Sequence, residues 1–454
     1  MHILLVRPPR RDNRDAGLPI PPLGLAYIAA TLEAQGKSVE ILDAYSLGWS
    51  WERFEQELIA QKPDVLGLGT MTPVASTAWR AARVARPHVK HIVLGGPHPT
   101  AVEHKVFEEC PEIDHAIAGE GEETIGPYLA WLESSKDTPP PAGVIARGHP
   151  LHARQPTMNI DEIPTPARHL LPQHTYRYLF ATRPGFATMI TSRGCPFRCT
   201  FCDKSVSGSR WRARTASSVV DEMEQLVRHH GVGFINIYDD NFTLDRKRVK
   251  AICEEILQRN LAIEWKCEGR VDGVDPALLR LMRKAGCRTI AYGVESANRQ
   301  TLELLRKDIT VEQTIRAFSD TRSAGLRALA YIILGSPGES TKDVKRTIRF
   351  VKELDADYVQ FSSLTALPGT PLYAMSTPGE TTSVLGPVDS ESQRETCTSL
   401  SEEELNTLMR SAWRQFWVRP KPMARLARDA VRSGSVMEGW RLGLQLARWS
   451  LRSA

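Results

Sequence analysis

Ala187-Thr188-Met189-Ile190-Thr191-Ser192-Arg193-Gly194-Cys195-Pro196-Phe197-Arg198-Cys199-Thr200-Phe201-Cys202 carries an apolar strand pattern through a short turn into three cysteines spaced C-x3-C-x2-C. Three thiolates within eight residues of loop can hold three corners of a 4Fe–4S cube and leave one iron open to another ligand. A structural zinc site would need a fourth ligand, and the nearest downstream histidines, His229 and His230, close a helical pattern instead. Three clustered cysteines also pair poorly as disulfides. The opening residues, Met1-His2-Ile3-Leu4-Leu5-Val6-Arg7, read as a strand and not as a signal peptide, so a reducing cytoplasm is expected. Cys110, Cys253, Cys267, Cys287 and Cys397 are scattered and expected to be ordinary buried thiols.

Downstream of the cysteines, strand patterns at 234–239, 262–267, 289–294, 328–334 and 358–364 follow the one at 187–191. Helical patterns at 216–229, 245–259, 276–285, 298–306 with 311–324, and 341–354 separate them. Six such strands predict an open, partial (β/α)6 barrel, with polar residues at the carboxyl strand ends, where barrel enzymes place their sites. Those ends read Tyr238-Asp239-Asp240-Asn241-Phe242, Cys267-Glu268-Gly269-Arg270-Val271-Asp272, Tyr292-Gly293-Val294-Glu295-Ser296 and Leu334-Gly335-Ser336-Pro337-Gly338-Glu339. Each has a purely structural alternative: Asp240 as a helix cap, Glu295 paired with Arg270, Gly335–Gly338 as a tight turn.

Upstream, strand patterns at 2–7, 38–43, 65–70, 91–95 and 115–119 alternate with helical ones at 23–35, 51–61, 76–85, 101–108 and 122–133. This alternation predicts a doubly wound parallel sheet, which binds ligands beyond its carboxyl strand ends. Three successive ends carry Gly69-Thr70-Met71-Thr72-Pro73, Gly95-Gly96-Pro97-His98-Pro99-Thr100 and Gly119-Glu120-Gly121-Glu122. Glycine at such ends lets a ligand approach the backbone closely, so a shared cleft is expected. Between the two α/β regions the periodicity fades, with Pro139-Pro140-Pro141 and Pro164-Thr165-Pro166 as punctuation and a small hairpin expected over 143–154. The predicted organisation is an α/β domain at 1–135, a linker at 136–186, the barrel at 187–375, and a mobile loop with a basic helical region at 376–454.

The three cysteines, with Phe201 as the aromatic of C-x3-C-x-aromatic-C before a run of βα units, resemble the radical S-adenosylmethionine (SAM) enzymes. In that superfamily the open iron chelates SAM, whose reductive cleavage gives a 5′-deoxyadenosyl radical that abstracts hydrogen from substrate. By position, the resemblance assigns Cys195, Cys199 and Cys202 to the 4Fe–4S cluster. It places Phe201, Asp240 and Asp239, Arg270, Glu295, Gly335 and Pro337 around SAM. Pro21-Pro22-Leu23-Gly24-Leu25 and the two glycine-rich ends after 91–95 and 115–119 further resemble the cobalamin-binding class, over about residues 1–375.

That class implies a Rossmann-like cobalamin-binding domain, with Thr70, Met71 and Thr72 near the corrin. Gly95, Gly96, Pro97, His98, Glu120 and Gly121 would lie along its nucleotide tail. The D-x-H-x-x-G motif that supplies a lower histidine ligand to cobalt is absent. Asp43-Ala44-Tyr45-Ser46-Leu47-Gly48 matches its spacing with Tyr for His, after the second strand and not the first. Cobalamin without a histidine ligand is therefore expected, and His98 is expected to serve its loop. The resemblance implies a C-methyltransferase on a small molecule, with an oxidative cyclase or rearrangement enzyme, for example on a tetrapyrrole, as the alternative. Hydrogen-atom abstraction needs no general base, and no catalytic side chain is assigned.

The net charge of +5 is unevenly spread: from 410 to 454 ten Lys and Arg face only Asp429 and Glu438, so the rest of the chain carries −3. Trp413, Phe416, Trp417, Trp440 and Trp449 are interleaved with these cations. A helical cap packed on the barrel, a peripheral membrane contact and closure over an anionic substrate all remain open. Expected partners are a small molecule, large and apolar or anionic, and an electron donor such as flavodoxin or ferredoxin. Nucleic acid is not expected, and any membrane contact would be peripheral, at the inner face. No apolar run approaches the ~20 residues that span a bilayer.

Overall fold

The computed structural model describes residues 1–11, 19–134, 138–376, 398–437 and 439–440. It divides into two units. The first is Met1–Tyr176 with Cys202–Arg210 and a stretch from Leu367; the second is Arg177–Phe201, Trp211–Ala366 and the described residues from 398 onward. The unit boundary thus falls inside the cysteine motif, between Phe201 and Cys202.

The first unit is built on β1 (Ile3–Arg7), β2 (Val39–Asp43), β3 (Val65–Gly69), β4 (His91–Gly95), β5 (His115–Ile117) and β6 (Val144–Ala146). Their order is β2-β1-β3-β4-β5-β6, all parallel except β6. The strands are apolar on both faces because helices cover both faces. Leu4, Val6, Leu66, Leu68, Ile92 and Leu94 feed one core. Ile3, Leu5, Val65, Val93 and Ile117 feed the other. The order reverses between β1 and β3, and the crevice at such a switch point is where open α/β sheets bind ligands. Thr70–Thr72 lies at that crevice.

Two expectations are corrected in this unit. The hairpin expected over 143–154 is instead an added strand: β6 joins β5 antiparallel, pairing Ile117 with Val144. Val144, Ile145 and Ala146 are buried, so the sheet edge gains more from them than a free-standing hairpin would. The helix expected at 101–108 starts earlier, at Pro97–Val102, because Pro97 presets the first helical position after Gly96. It breaks at Glu103, whose φ is 50°, before a short turn at Val106–Glu109. Asp43–Gly48 is a structural element: Asp43 caps the Ala44–Leu47 turn and accepts the Tyr176 hydroxyl at 2.9 Å, while Arg7 and Arg10 stack on Tyr45.

The second unit follows its predicted order. β7 (Phe186–Met189), β10 (Phe234–Ile237), β11 (Glu264–Gly269), β12 (Cys287–Glu295), β13 (Arg327–Leu334) and β14 (Tyr358–Ser363) pair in chain sequence, all parallel. A two-stranded ribbon, β8 (Ser192–Arg193) with β9 (Arg212–Ala213), follows β7. Alternation decides the two faces. Met189, Ile235, Trp265, Cys267, Ile290, Tyr292, Ala330 and Val359 form the apolar core under the outer helices. The paired residues between them are polar: Thr188, Asn236, Lys266 and Thr289 share one register row on the opposite, inner face.

Ser401-x-x-Glu404 has capping-box spacing, and the box forms and opens the helix Glu402–Trp417. Trp413 packs on Phe361 and Trp417 on Tyr358, as a packed cap requires, whereas Trp440 is exposed. No described helix is long and apolar enough to cross a membrane. Most of the expected mobile loop (377–397, with Cys397) and, in the basic helical region, residue 438 and residues 441–454 with Trp449 lie outside the described residues.

Candidate functional site

At the foot of the cysteine loop, Asp239 fixes the chain that leads into it. Its buried carboxylate accepts from Thr191 N at 2.6 Å, Thr191 Oγ1 at 2.5 Å and Ser192 Oγ at 2.7 Å. Arg248 adds a bond to Thr191 O at 2.7 Å. Asp239 is therefore committed to the Thr191–Ser192 segment, and Asp240 beside it is the exposed carboxylate of the pair. Asp240 does not cap the following helix; Asp245 does, through Lys247 N and Arg248 N.

Two cations meet the aromatic rings of the loop, Arg270 from the end of β11 and Lys307 from beyond the helix Arg299–Leu304. Arg270 lies 3.7 Å over the Phe197 ring and Lys307 5.8 Å from that of Phe201. Thr200 N donates to Leu305 O at 3.0 Å. Arg270 does not pair with Glu295: it grips Asp272 through two bonds of 2.9 Å and donates to the carbonyls of Lys307 and Asp308. Glu295 instead meets Lys307 Nζ at 2.7 Å, both side chains being at least nine-tenths buried. Burial works against the Lys307 ammonium, but Glu295 and then Cys199 outweigh it and raise its pKa. Cys199 thus lies within electrostatic reach of a buried cation.

Glu295 sits at a break in the β12–β13 register with φ 62°. Backbone strain and bulges gather at ligand sites, where they re-aim a side chain. The bare Gly293 leaves room for this pair, since a Cβ would displace the ends of Lys307 and Glu295. The turn after β13 is held by Glu339: one oxygen accepts from Gly335 N and Ser336 N at 3.1 and 3.0 Å, the other from Ser296 Oγ and Thr301 Oγ1 at 3.1 Å each. Gly335 has φ 81°, and a Cβ on it would meet Leu405 at 2.9 Å. Pro337 is the half-buried member of this turn.

The inner face adds a group that sequence reasoning missed. Lys266, 1% exposed, bonds Asn236 Oδ1 at 3.3 Å and pairs with Glu268, which also accepts from Tyr331 at 3.1 Å. Burial opposes the Lys266 charge, yet Glu268 and Tyr331 raise its pKa, while burial raises that of Tyr331. Glu268 Oε2 and Asn236 Nδ2 are buried with no hydrogen-bond partner among the described residues. Orphaned polar atoms on a concave face are what a polar ligand there would satisfy. The signal was present as Lys266 and Glu268 two apart on one strand, but only register brings Asn236 and Tyr331 to them.

In the first unit, Thr70 and Thr72 are buried around exposed Met71. His98 spends both ring nitrogens, on Thr72 Oγ1 at 3.1 Å and Glu109 at 2.7 Å, and so buttresses the loop. Gly96, with φ 105°, lets Thr70 lie against it, for a Cβ would stand 2.6 Å from Thr70 O. Gly119 N donates to Thr100 Oγ1 at 3.0 Å, tying the third loop to the second. A Cβ at Gly95 would meet nothing within 4 Å, so the Gly95 and Met71 surface borders open space, as an extended planar ligand needs. Glu120 and Gly121 are half-buried beside it. Among the described residues, no cluster of His, Cys, Asp and Glu forms a ready-made metal cage.

Residues 189–351 match the radical SAM superfamily and residues 12–127 the B12-binding domain. Over 435 residues the chain is 33% identical to the Uncharacterized methyltransferase PH0819 of Pyrococcus horikoshii, covering 93% of each. It is 31% identical to the anaerobic magnesium-protoporphyrin IX monomethyl ester cyclase of Rubrivivax gelatinosus, over 78% of this chain and 66% of the cyclase. The methyltransferase TsrM from Kitasatospora setae, solved with cobalamin and a 4Fe–4S cluster, shares the fold with a TM-score of 0.68 at 21% identity, over 97% of this chain and 88% of TsrM.

Proposed function

The chain belongs to the cobalamin-binding radical SAM enzymes, and on that premise we propose that it forms a carbon-centred radical on a small molecule at the inner face of the second unit. The observation that carries this reading is the polar inner face, where Glu268 Oε2 and Asn236 Nδ2 lack partners among the described residues, on the same sheet whose first strand leads into a cysteine loop clamped by Asp239. When bound, a 4Fe–4S cluster and SAM would supply the abstracting radical, and cobalamin a methyl group or a redox partner.

The protein's part is placement. Cys195, Cys199 and Cys202 fit three cluster corners, with Lys307 near Cys199 offsetting thiolate charge. Asp240 and the Gly335–Pro337 turn are the groups proposed to meet SAM, while Asp239, Arg270 and Glu339 act as positioning residues. Thr70–Thr72, Gly95–His98 and Glu120–Gly121 are proposed to line the cobalamin groove. A one-electron donor of the flavodoxin or ferredoxin kind is part of the proposal.

Methyl transfer and ring formation are carried together. The two relatives are almost equally similar, at 33% and 31%, so the preference for methyl transfer drawn from motifs is not kept over ring formation. Anaerobic turnover with methyl-labelled SAM and candidate small molecules separates them. Label in the product assigns methyl transfer; an unlabelled, dehydrogenated product assigns ring formation. Absence of 5′-deoxyadenosine under reducing conditions, or its undiminished release by Cys199→Ala, overturns the proposal.

A further inference from the structure

We infer a second ligand site, for a phosphoryl group, at the amino-terminal strand ends of the second unit. A cavity of about 490 Å³ opens there between Thr182, Glu264, Arg283, Arg288, Arg327 and Arg432. Glu264 and Arg327 begin β11 and β13, and Arg288 is the second residue of β12. The cysteine loop follows the carboxyl end of β7, so this cavity lies at the opposite end of the same parallel sheet. Neither the radical reading nor its cofactors bear on it.

The charges in the cavity do not balance. Arg327 is spent: its two Nη atoms meet Asp429 at 2.5 and 2.9 Å, and one also reaches Tyr358. Glu264 accepts from Arg288 Nε at 2.8 Å, and also meets Arg183 and the Thr182 hydroxyl. Arg283 makes one hydrogen bond, Nε to Gly325 O at 3.0 Å, which leaves both Nη groups without a partner among the described residues. Arg432 has no ion pair or hydrogen bond among the described residues. Burial, and then the charge of Arg288, pull Arg283 below its ordinary pKa. Two guanidinium forks, half-buried Arg283 and exposed Arg432, thus line one cavity with no carboxylate paired to either among the described residues; Glu264 acts on Arg283 only at a distance and is itself paired with Arg288.

Among the described residues, no Asp or Glu makes an ion pair or hydrogen bond with either arginine. A single carboxylate would leave one cation unmatched. A phosphoryl group carries nearly two charges and three acceptor oxygens, enough for two bidentate guanidinium contacts. Its source is a soluble phosphate ester or a lipid headgroup, since exposed Val431, Val436 and Met437 flank Arg432 in sequence.

Isothermal titration of the full chain with inorganic phosphate tests the site, beside Arg283→Gln/Arg432→Gln and an Arg299→Gln control on a remote helix. Saturable binding is expected in the parent and the control, weakened about tenfold or more in the double variant, with unchanged melting without phosphate. Co-sedimentation with phosphatidylcholine vesicles, with and without phosphatidic acid, identifies the source. Capture that needs both phosphatidic acid and the two arginines assigns a lipid headgroup; phosphate binding without capture assigns a soluble ester. If neither probe depends on Arg283 and Arg432, the site does not exist.

Discussion

Asp239 accepts both the amide and the hydroxyl of Thr191 on one buried carboxylate, at 2.6 and 2.5 Å, and so fastens β10 to the chain that leads into the cysteine loop. Asn at position 239 keeps the shape but replaces an ionised acceptor by a neutral amide. Asp239→Asn is expected to cost about 2–3 kcal/mol in urea denaturation. Iron retained after anaerobic reconstitution should fall with it. Cys199→Ala should lose the iron while melting close to the parent, which separates the clamp from the ligand.

Removing one partner of a buried ion pair leaves a charge that the interior cannot solvate. Glu295→Gln and Lys307→Met are each expected to destabilise the chain by about 3–5 kcal/mol. The double variant should cost clearly less than the two together, because no charge is then stranded. A double-mutant cycle measures this directly; strict additivity would show that the pair is not a unit.

Gly96→Ala places a Cβ against Thr70 O at a φ of 105° that alanine avoids. The loop must shift, at about 1–3 kcal/mol of strain. Cobalt bound per chain should drop while iron per chain stays constant. Loss of both metals together would mean that the first unit had unfolded.

Burial raises the Cys110 thiol from 9.0 to about 12, with Glu112 adding to it. Burial likewise raises Cys253 and Cys267. The folded chain therefore keeps protons that the unfolded chain releases, and stability should fall as pH rises from 9.0 towards 12. At pH 8, iodoacetamide should label half-buried Cys195 and Cys202 in the metal-free native chain and spare Cys110, Cys253, Cys267 and Cys287. Peptide mass mapping reads the outcome; labelling of Cys253 without denaturant would contradict it.

Much of the fold was legible because its signals are local. Strand-helix alternation fixed both parallel sheets, and the capping box at Ser401 marked a helix start that the structure keeps. Short segments were harder. Val144–Ala146 has too few residues to announce a strand and becomes one only against the edge of β5. Glu295 was quoted as a strand-end acid, but its partner Lys307 lies twelve residues on, beyond a helix, at no recognisable spacing.

By itself, the sequence determined which chemistry this chain can hold: three thiolates in one loop, glycines at strand ends and carboxylates at barrel ends are covalent facts of order and spacing. Tertiary structure decided which polar groups are spent and which are left over. Asp239, Arg270 and His98 turn out to have their strong contacts taken by groups of the protein on other segments. Glu268, Asn236, Arg283 and Arg432 are left with unmet donors or acceptors. Hydrogen-bond satisfaction depends on residues that register and packing bring together from distant parts of the chain, and no local pattern encodes it.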